Sequence, residues 1–302
     1  MDIDFFKKIR ILDGGMGQEL LARGMKPQGT LWSATAILHE KYHKLLYDTH
    51  VDYIKAGAEV IVTTTFASRK TRLRENKVED KFEYLNKKAG EIAKKTKDTY
   101  PDVLIAGGLP PQGSTYKEDN RSNDEISEDF YKHAELLNPY SDFFYLDVIS
   151  SIKELKLAIK SINEFKKPYL IGAHISQGKT MPSGEKISDI ITNNKNEDLL
   201  GIMLSCVSPE NFQLNLDELK NLGVPFGFKL NSYLKTNPFP NLDDHEKNKK
   251  SVDPKEFLGT RNDLTPKKMA EFVKKFKDSG ATILGGCCET SPAHIKEMSE
   301  LV

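Results

Sequence analysis

Eight short apolar runs recur along the chain, separated by longer stretches in which apolar residues return at helical spacing. The runs are IRILDG (9–14), EVIVTT (59–64), VLIAGG (103–108) and DFFYLD (142–147), then PYLIGA (168–173), GIMLSC (201–206), PFGFKL (225–230) and ATILGG (281–286). Several carry β-branched or aromatic residues and follow Gly or Pro, as strands often do where they begin. In the first intervening stretch Tyr42, Leu45, Leu46, Thr49, Tyr53 and Ala56 share one helical face, and Gly57 supplies a C-terminal stop. A helix is expected after every strand, including about 125–138 and about 184–193. Eight such units in 302 residues predict an α/β protein of the (β/α)8 TIM-barrel class, with 1–302 as one domain.

The rival architecture is an open doubly wound sheet with a glycine-rich phosphate turn after its first strand. DGGMGQEL stands at that place, but its glycines follow G-G-x-G and not G-x-G-x-x-G. The second strand ends in VIVTTTF, with no acidic residue to hold a ribose. Both departures favour the barrel. No internal repeat interrupts the series. The one shift in composition is the polar segment 231–257, rich in Pro, Asn and Lys. It is expected to be a loop over the barrel mouth, either a lid over substrate or a solvated insertion.

Composition changes this picture little and excludes some functions. Hydrophobic residues make up 38% and charged residues 29%, and 44 Lys and Arg balance 44 Asp and Glu. That balance offers no general attraction to nucleic acid or to an anionic membrane. No apolar run approaches the roughly 20 residues that span a bilayer, and the acidic start MDIDFF is unlike a signal peptide. Three cysteines form no disulfide framework, so reduced thiols in the cytoplasm are expected.

The chemistry collects at strand ends. Cys206 ends the sixth run, and Cys287 and Cys288 directly follow the eighth. In a parallel barrel the C-terminal ends of strands meet at one mouth, which would bring the three sulfurs together. Thiolate-rich sets select zinc or iron–sulfur clusters. His174, at the end of the fifth run, is a candidate fourth ligand; without one, three ligands leave the open position of a catalytic site. Three other readings stand beside this: small buried hydrophobes, a vicinal disulfide, or one nucleophilic cysteine with a histidine base. Asp13, Thr63, Thr64, Thr65, Asp147 and Asn231 also fall at strand ends, where capping and turn roles compete with substrate binding. Trp32, the single tryptophan, and Phe66 lie beside them and are packing residues or ligand contacts.

DGGMGQEL, SCVSPE and GGCCET…SPAHI together resemble the homocysteine S-methyltransferase family, and the similarity covers nearly the whole chain. The segment LWSATAILHEKYHKLLYDTHVDYIKAGAEVIVTTTF is similar to members that use sulfonium donors. The resemblance implies a zinc-dependent barrel with Cys206, Cys287 and Cys288 as Zn2+ ligands. It places Asp13 and Gly14 in the acceptor pocket and Asp147 where many members hold the acceptor ammonium with Glu. Thr64 and Asn231 join the substrate-binding set, and Trp32 and Phe66 surround the donor, with Tyr145 a further aromatic. Thr64 replaces a usual Asn, Pro110 a usual Gly, SC a usual NC, and Glu289 a usually smaller residue.

The activity so implied moves a methyl group from an onium donor to homocysteine thiolate, forming methionine. The donors expected first are S-methylmethionine and S-adenosylmethionine. Betaine, dimethylsulfoniopropionate or another acceptor thiol is the alternative, and a non-catalytic zinc-binding barrel is the reading from another class. The expected partners are small-molecule substrates, with no nucleic acid and no membrane.

Overall fold

A strand forms at each of the eight apolar runs: β1 (Arg10–Ile11), β2 (Val60–Val62), β3 (Leu104–Leu109), β4 (Phe143–Ile149), β5 (Tyr169–Ala173), β6 (Leu199–Val207), β7 (Phe226–Leu230) and β8 (Ile283–Gly286). The computed structural model describes residues 3–175, 177–194, 196–234 and 255–302. All neighbouring strands pair in parallel, in the order β1-β8-β7-β6-β5-β4-β3-β2. A parallel bridge from Leu12 to Val60 joins the remaining seam. Asp13 N donates to Val60 O at 3.0 Å and Glu59 N to Ile11 O at 2.8 Å across it. The sheet is thereby closed into the expected (β/α)8 barrel. β1 and β2 are shorter than their runs for a local reason. The Asp13 carboxylate takes Val62 N at 2.8 Å, where a longer strand would offer a backbone carbonyl.

Helices follow every strand, including Asn123–Leu137 and Ile187–Asn194 in the two stretches expected near 125–138 and 184–193. Several starts are fixed locally. Ser122 and Glu125 form a capping box, and Pro209, Pro266 and Pro292 each open a helix behind Ser208, Thr265 and Ser291. The helix His43–Lys55 buries Leu46, Thr49 and Tyr53 on the predicted face. It ends at Gly57, whose φ of 106° is left-handed. No helix among the described residues is long and apolar enough to cross a membrane. The lid or insertion expected at 231–257 falls mainly on 235–254, outside the described residues.

Two apolar layers hold the barrel. Outside the sheet, Phe212, Phe228 and Phe276 pack with ring centroids 4.7 to 5.7 Å apart. Inside, Leu12, Val60, Leu170 and Met203 fill the lumen. Phe6 closes its lower end, edge-on to Phe143 at 5.9 Å. Higher up the lumen turns polar. Tyr145 hydroxyl bonds Ser205 Oγ, and Lys229 Nζ pairs with Asp13 Oδ1 at 2.9 Å. Gly172 makes room for this layer: a Cβ there would meet Ser205 Oγ at 2.2 Å. The chemistry of the molecule begins at this level.

Candidate active site

Strand alternation alone would turn the Cys206 side chain out of the barrel. Met203 faces the lumen, Leu204 the helices and Ser205 the lumen again. A register shift between Ser205 and Val207 inserts Cys206 as an extra residue, with φ at 55°. This bulge re-aims its sulfur into the mouth. β4 does the same two strands away. Tyr145 and Asp147 face inward, the register shifts between Leu146 and Ile149, and Val148 takes φ 57°. A β-branched residue rarely adopts such a φ. Trp32, Tyr116 and Glu289 are also left-handed, at 45°, 64° and 60°. Strained backbone of this kind clusters at functional sites and costs about 1–3 kcal/mol per residue.

The bulge completes a trio. Cys206 Sγ lies 3.8 Å from Cys288 Sγ, and Cys287 Sγ lies 3.9 Å from Cys288 Sγ. All three ligand atoms fall within 4.8 Å of one another. A tetrahedral zinc with Zn–S bonds of about 2.3 Å has S···S edges of about 3.8 Å. The donor set therefore fits zinc in chemistry and in size. Donation from Cys287 and Cys288 holds the Cys206 thiol well below its usual range, and Tyr116 adds to the effect. Their hydrogen bonds with Cys206 keep the other two thiols protonated. A divalent cation would displace those protons.

A polar shell stands behind the sulfurs. Tyr116 hydroxyl donates to Cys206 Sγ at 3.1 Å. Its ring lies against His174 at a centroid distance of 4.2 Å. His174 Nδ1 meets Ser205 O at 3.0 Å, and burial lowers the imidazole to about 4. His174 is thus placed behind the trio and is not grouped with it as a ligand. Asn231 Nδ2 donates to Cys206 O at 2.6 Å and reaches Cys206 Sγ at 3.7 Å. Asn231 therefore braces the bulge. Gln18 Nε2 donates to Tyr233 hydroxyl at 2.5 Å, and that hydroxyl hydrogen-bonds Cys288.

The sulfurs lie in a cleft of about 710 Å³, counting the space it shares with open solvent. Its walls include Asp13, Gly14, Thr64, Asp147 and Lys229, with Trp32 and Phe66 above. Asp147 is only partly covered, yet burial pushes its carboxyl up to about 6 against the pull of Lys229 and Tyr145. Burial also works against the Lys229 charge, but Asp13 and Asp147 outweigh it and hold the ammonium above its ordinary value. Thr64 Oγ1 lies 3.4 Å from His50 Nε2. Trp32 and Phe66 pack edge to face at 6.1 Å. Gly17 is the floor beneath the indole, where a Cβ would come within 2.2 Å of it. Gly15 approaches Cys287 O so closely that a Cβ would sit 2.4 Å away. Gly17 and Gly15 of DGGMGQEL thus seat Trp32 and the vicinal cysteines.

Sequence reasoning missed Lys229, Tyr116, Tyr233 and Gln18. Lys229 had a signal, a lysine inside an apolar strand, since a buried charge must be paired. Tyr116 and Tyr233 had none, because loop conformation alone brings them to the sulfurs.

Fold and site together define a (β/α)8-barrel enzyme with a three-cysteine mouth. The sequence profile described as Homocysteine S-methyltransferase matches residues 10–302. Homocysteine S-methyltransferase 2 of Saccharomyces cerevisiae is 28% identical over 327 residues, covering 98% of this chain and 94% of that protein. Homocysteine S-methyltransferase of Escherichia coli is 22% identical over 305 residues, covering 95% and 93%. The metallated crystal structure of the homocysteine methyltransferase MmuM from Escherichia coli superposes with a TM-score of 0.79 at 20% identity, covering 98% and 96%. That likeness shows the shared fold. The chain belongs to the homocysteine S-methyltransferase family, and it is an S-methyltransferase.

Proposed function

We propose that the protein transfers a methyl group from an onium donor to homocysteine, giving methionine, with zinc held by Cys206, Cys287 and Cys288. S-methylmethionine and S-adenosylmethionine are the donors favoured. The observation that carries the reading is the sulfur trio at the base of a cleft that also presents carboxylates and an aromatic pair. When bound, zinc supplies a fourth position at which an acceptor thiol is held as its thiolate near neutral pH.

The remaining work falls to the chain itself. Asp147 takes the acceptor ammonium and orients the thiol toward the trio. Trp32 and Phe66 present aromatic faces to the donor cation, each worth about 0.5–2 kcal/mol. Tyr116 and Asn231 fix Cys206 from behind. As the acceptor sulfur forms its bond to the methyl carbon, the donor's S–CH3 bond breaks and its electron pair stays on the donor sulfur. The acceptor's thiol proton has already gone to solvent. The leaving group is a neutral thioether, so no strong general acid is needed. A reducing, cytoplasmic compartment would keep the trio free of disulfides.

A donor panel run on zinc-loaded, reduced enzyme with homocysteine tests this reading. Methionine formed from either sulfonium supports it. Turnover only with betaine or dimethylsulfoniopropionate would move the protein to the related thiol methyltransferases. No turnover with any onium donor would contradict the reading and leave a zinc-binding barrel without activity.

A further inference from the structure

Lys229 is an unusual choice for the inner face of β7. It is 6% exposed, lines the cleft, and sits between the lumen positions of β6 and β8 through its register partners Ser205 and Gly285. Gly285 leaves space for its stem, since a Cβ there would lie 3.3 Å from Lys229 Cγ. A well-packed apolar pair is often as stable as a buried ion pair, or more so. Stability alone therefore gives no reason for a lysine and an aspartate here.

The hydrogen bonds of Lys229 and Asp13 are unequal. Asp13 is engaged through both oxygens, Oδ1 with Lys229 Nζ at 2.9 Å and Oδ2 with Val62 N at 2.8 Å. It holds the barrel seam and aims the lysine. An ammonium has three donors. Among the described residues, the hydrogen bond to Asp13 is the one Nζ makes, which leaves two donors on a wall shielded from water. Asp147 stands on the lumen face of β4, close enough to act on the lysine charge without a hydrogen bond between them. The cleft thus offers one ammonium with spare donors and one carboxylate apart from it.

We infer that Lys229 Nζ receives the carboxylate of the amino-acid acceptor, while Asp147 receives its ammonium group. This rests on the reading of homocysteine as acceptor. With the acceptor in place, charges alternate along one line: Asp147, acceptor ammonium, acceptor carboxylate, Lys229, Asp13. Lys229 is then the residue that selects an amino-acid thiol over a simple aminothiol, and Asp13 acts through it as a positioning residue.

The test compares homocysteine with its decarboxylated counterpart, 3-aminopropane-1-thiol, in zinc-loaded wild type and Lys229→Met. The variant is expected to raise KM for homocysteine about 10- to 100-fold, the loss of charge-assisted hydrogen bonds. KM for the aminothiol should stay within about twofold of wild type, and Lys229→Arg should retain most of the preference for homocysteine. Lys229→Met leaves the Asp13 charge unpaired, with only Val62 N still donating to it, so the double variant Asp13→Asn/Lys229→Met supplies the same comparison if the single one does not fold. Equal rises for both thiols, or an unchanged KM for homocysteine, overturn the inference while the functional reading stands. Failure of the wild type to methylate homocysteine overturns both.

Discussion

Tyr116 and Cys206 both hold left-handed backbone, at φ 64° and 55°, and meet through a hydrogen bond of 3.1 Å from hydroxyl to sulfur. Two strained residues, one in a loop and one at the β6 bulge, therefore define one edge of the sulfur trio. Burial and the Cys206 charge keep the Tyr116 phenol well above its usual range, so it stays a donor. Tyr116→Phe keeps the ring against His174 and removes only that donor. Zinc affinity, measured by competition with a chelator, is expected to fall about tenfold. Unchanged affinity would show that the hydrogen bond does not support the ligand.

Gly17 carries the second prediction. A Cβ there would fall 2.2 Å from the Trp32 indole, so Gly17→Ala must displace the ring. Trp32 is the single tryptophan, and its emission reports the move directly. A shifted emission maximum should accompany a raised KM for the onium donor, with KM for homocysteine little changed. A shifted spectrum with donor KM unaltered would remove Trp32 from the donor site.

Asp147 gives the third. Its carboxyl, raised to about 6 by burial, must be ionised to hold an ammonium. KM for homocysteine should climb as pH falls through about 6. Asp147→Asn should show a KM raised by about 10- to 100-fold at neutral pH and no such inflection. A variant that retains the wild-type inflection would assign the titration to another group.

Glu154 tests stability and not catalysis. It is 1% exposed, and burial first, then Asp119, lifts its carboxyl from 4.5 to about 8, although Ser150 N donates to it at 3.2 Å. The folded state thus holds the proton where the unfolded chain has lost it. Its stabilising contribution is full below about 4.5 and is lost as pH rises toward about 8. The change is on the order of 1.4 kcal/mol per unit of separation. Denaturation at pH values on either side of this window should show a weaker decline for Glu154→Gln than for wild type. Parallel declines would contradict the assignment.

How far the sequence could be read divides along a physical line. Parallel strands buried on both faces stand out as apolar runs, so all eight were legible and the barrel followed. The cysteines were legible because they lie at strand ends. Their geometry was not. With Ser205 facing the lumen, simple alternation sends Cys206 outward, and only a bulge, which leaves no compositional trace, brings it back. Asn231 shows the same limit. Its strand-end position suggested substrate contact, and its amide hydrogen bond to Cys206 O, which braces the bulge, had no signal in the sequence. The glycines of DGGMGQEL were read as a failed phosphate motif, and their role in seating Trp32 and Cys287 emerges only from close approach in space.

The most direct test of the account is X-ray absorption at the zinc edge, with metal analysis, on reduced protein without substrate. The account predicts one zinc per chain with three sulfur neighbours at about 2.3 Å, a fourth sulfur once homocysteine is added, and loss of the metal in Cys206→Ala. Reduced protein that takes up no zinc, or Cys206→Ala that retains it with an unchanged spectrum, would contradict the claim.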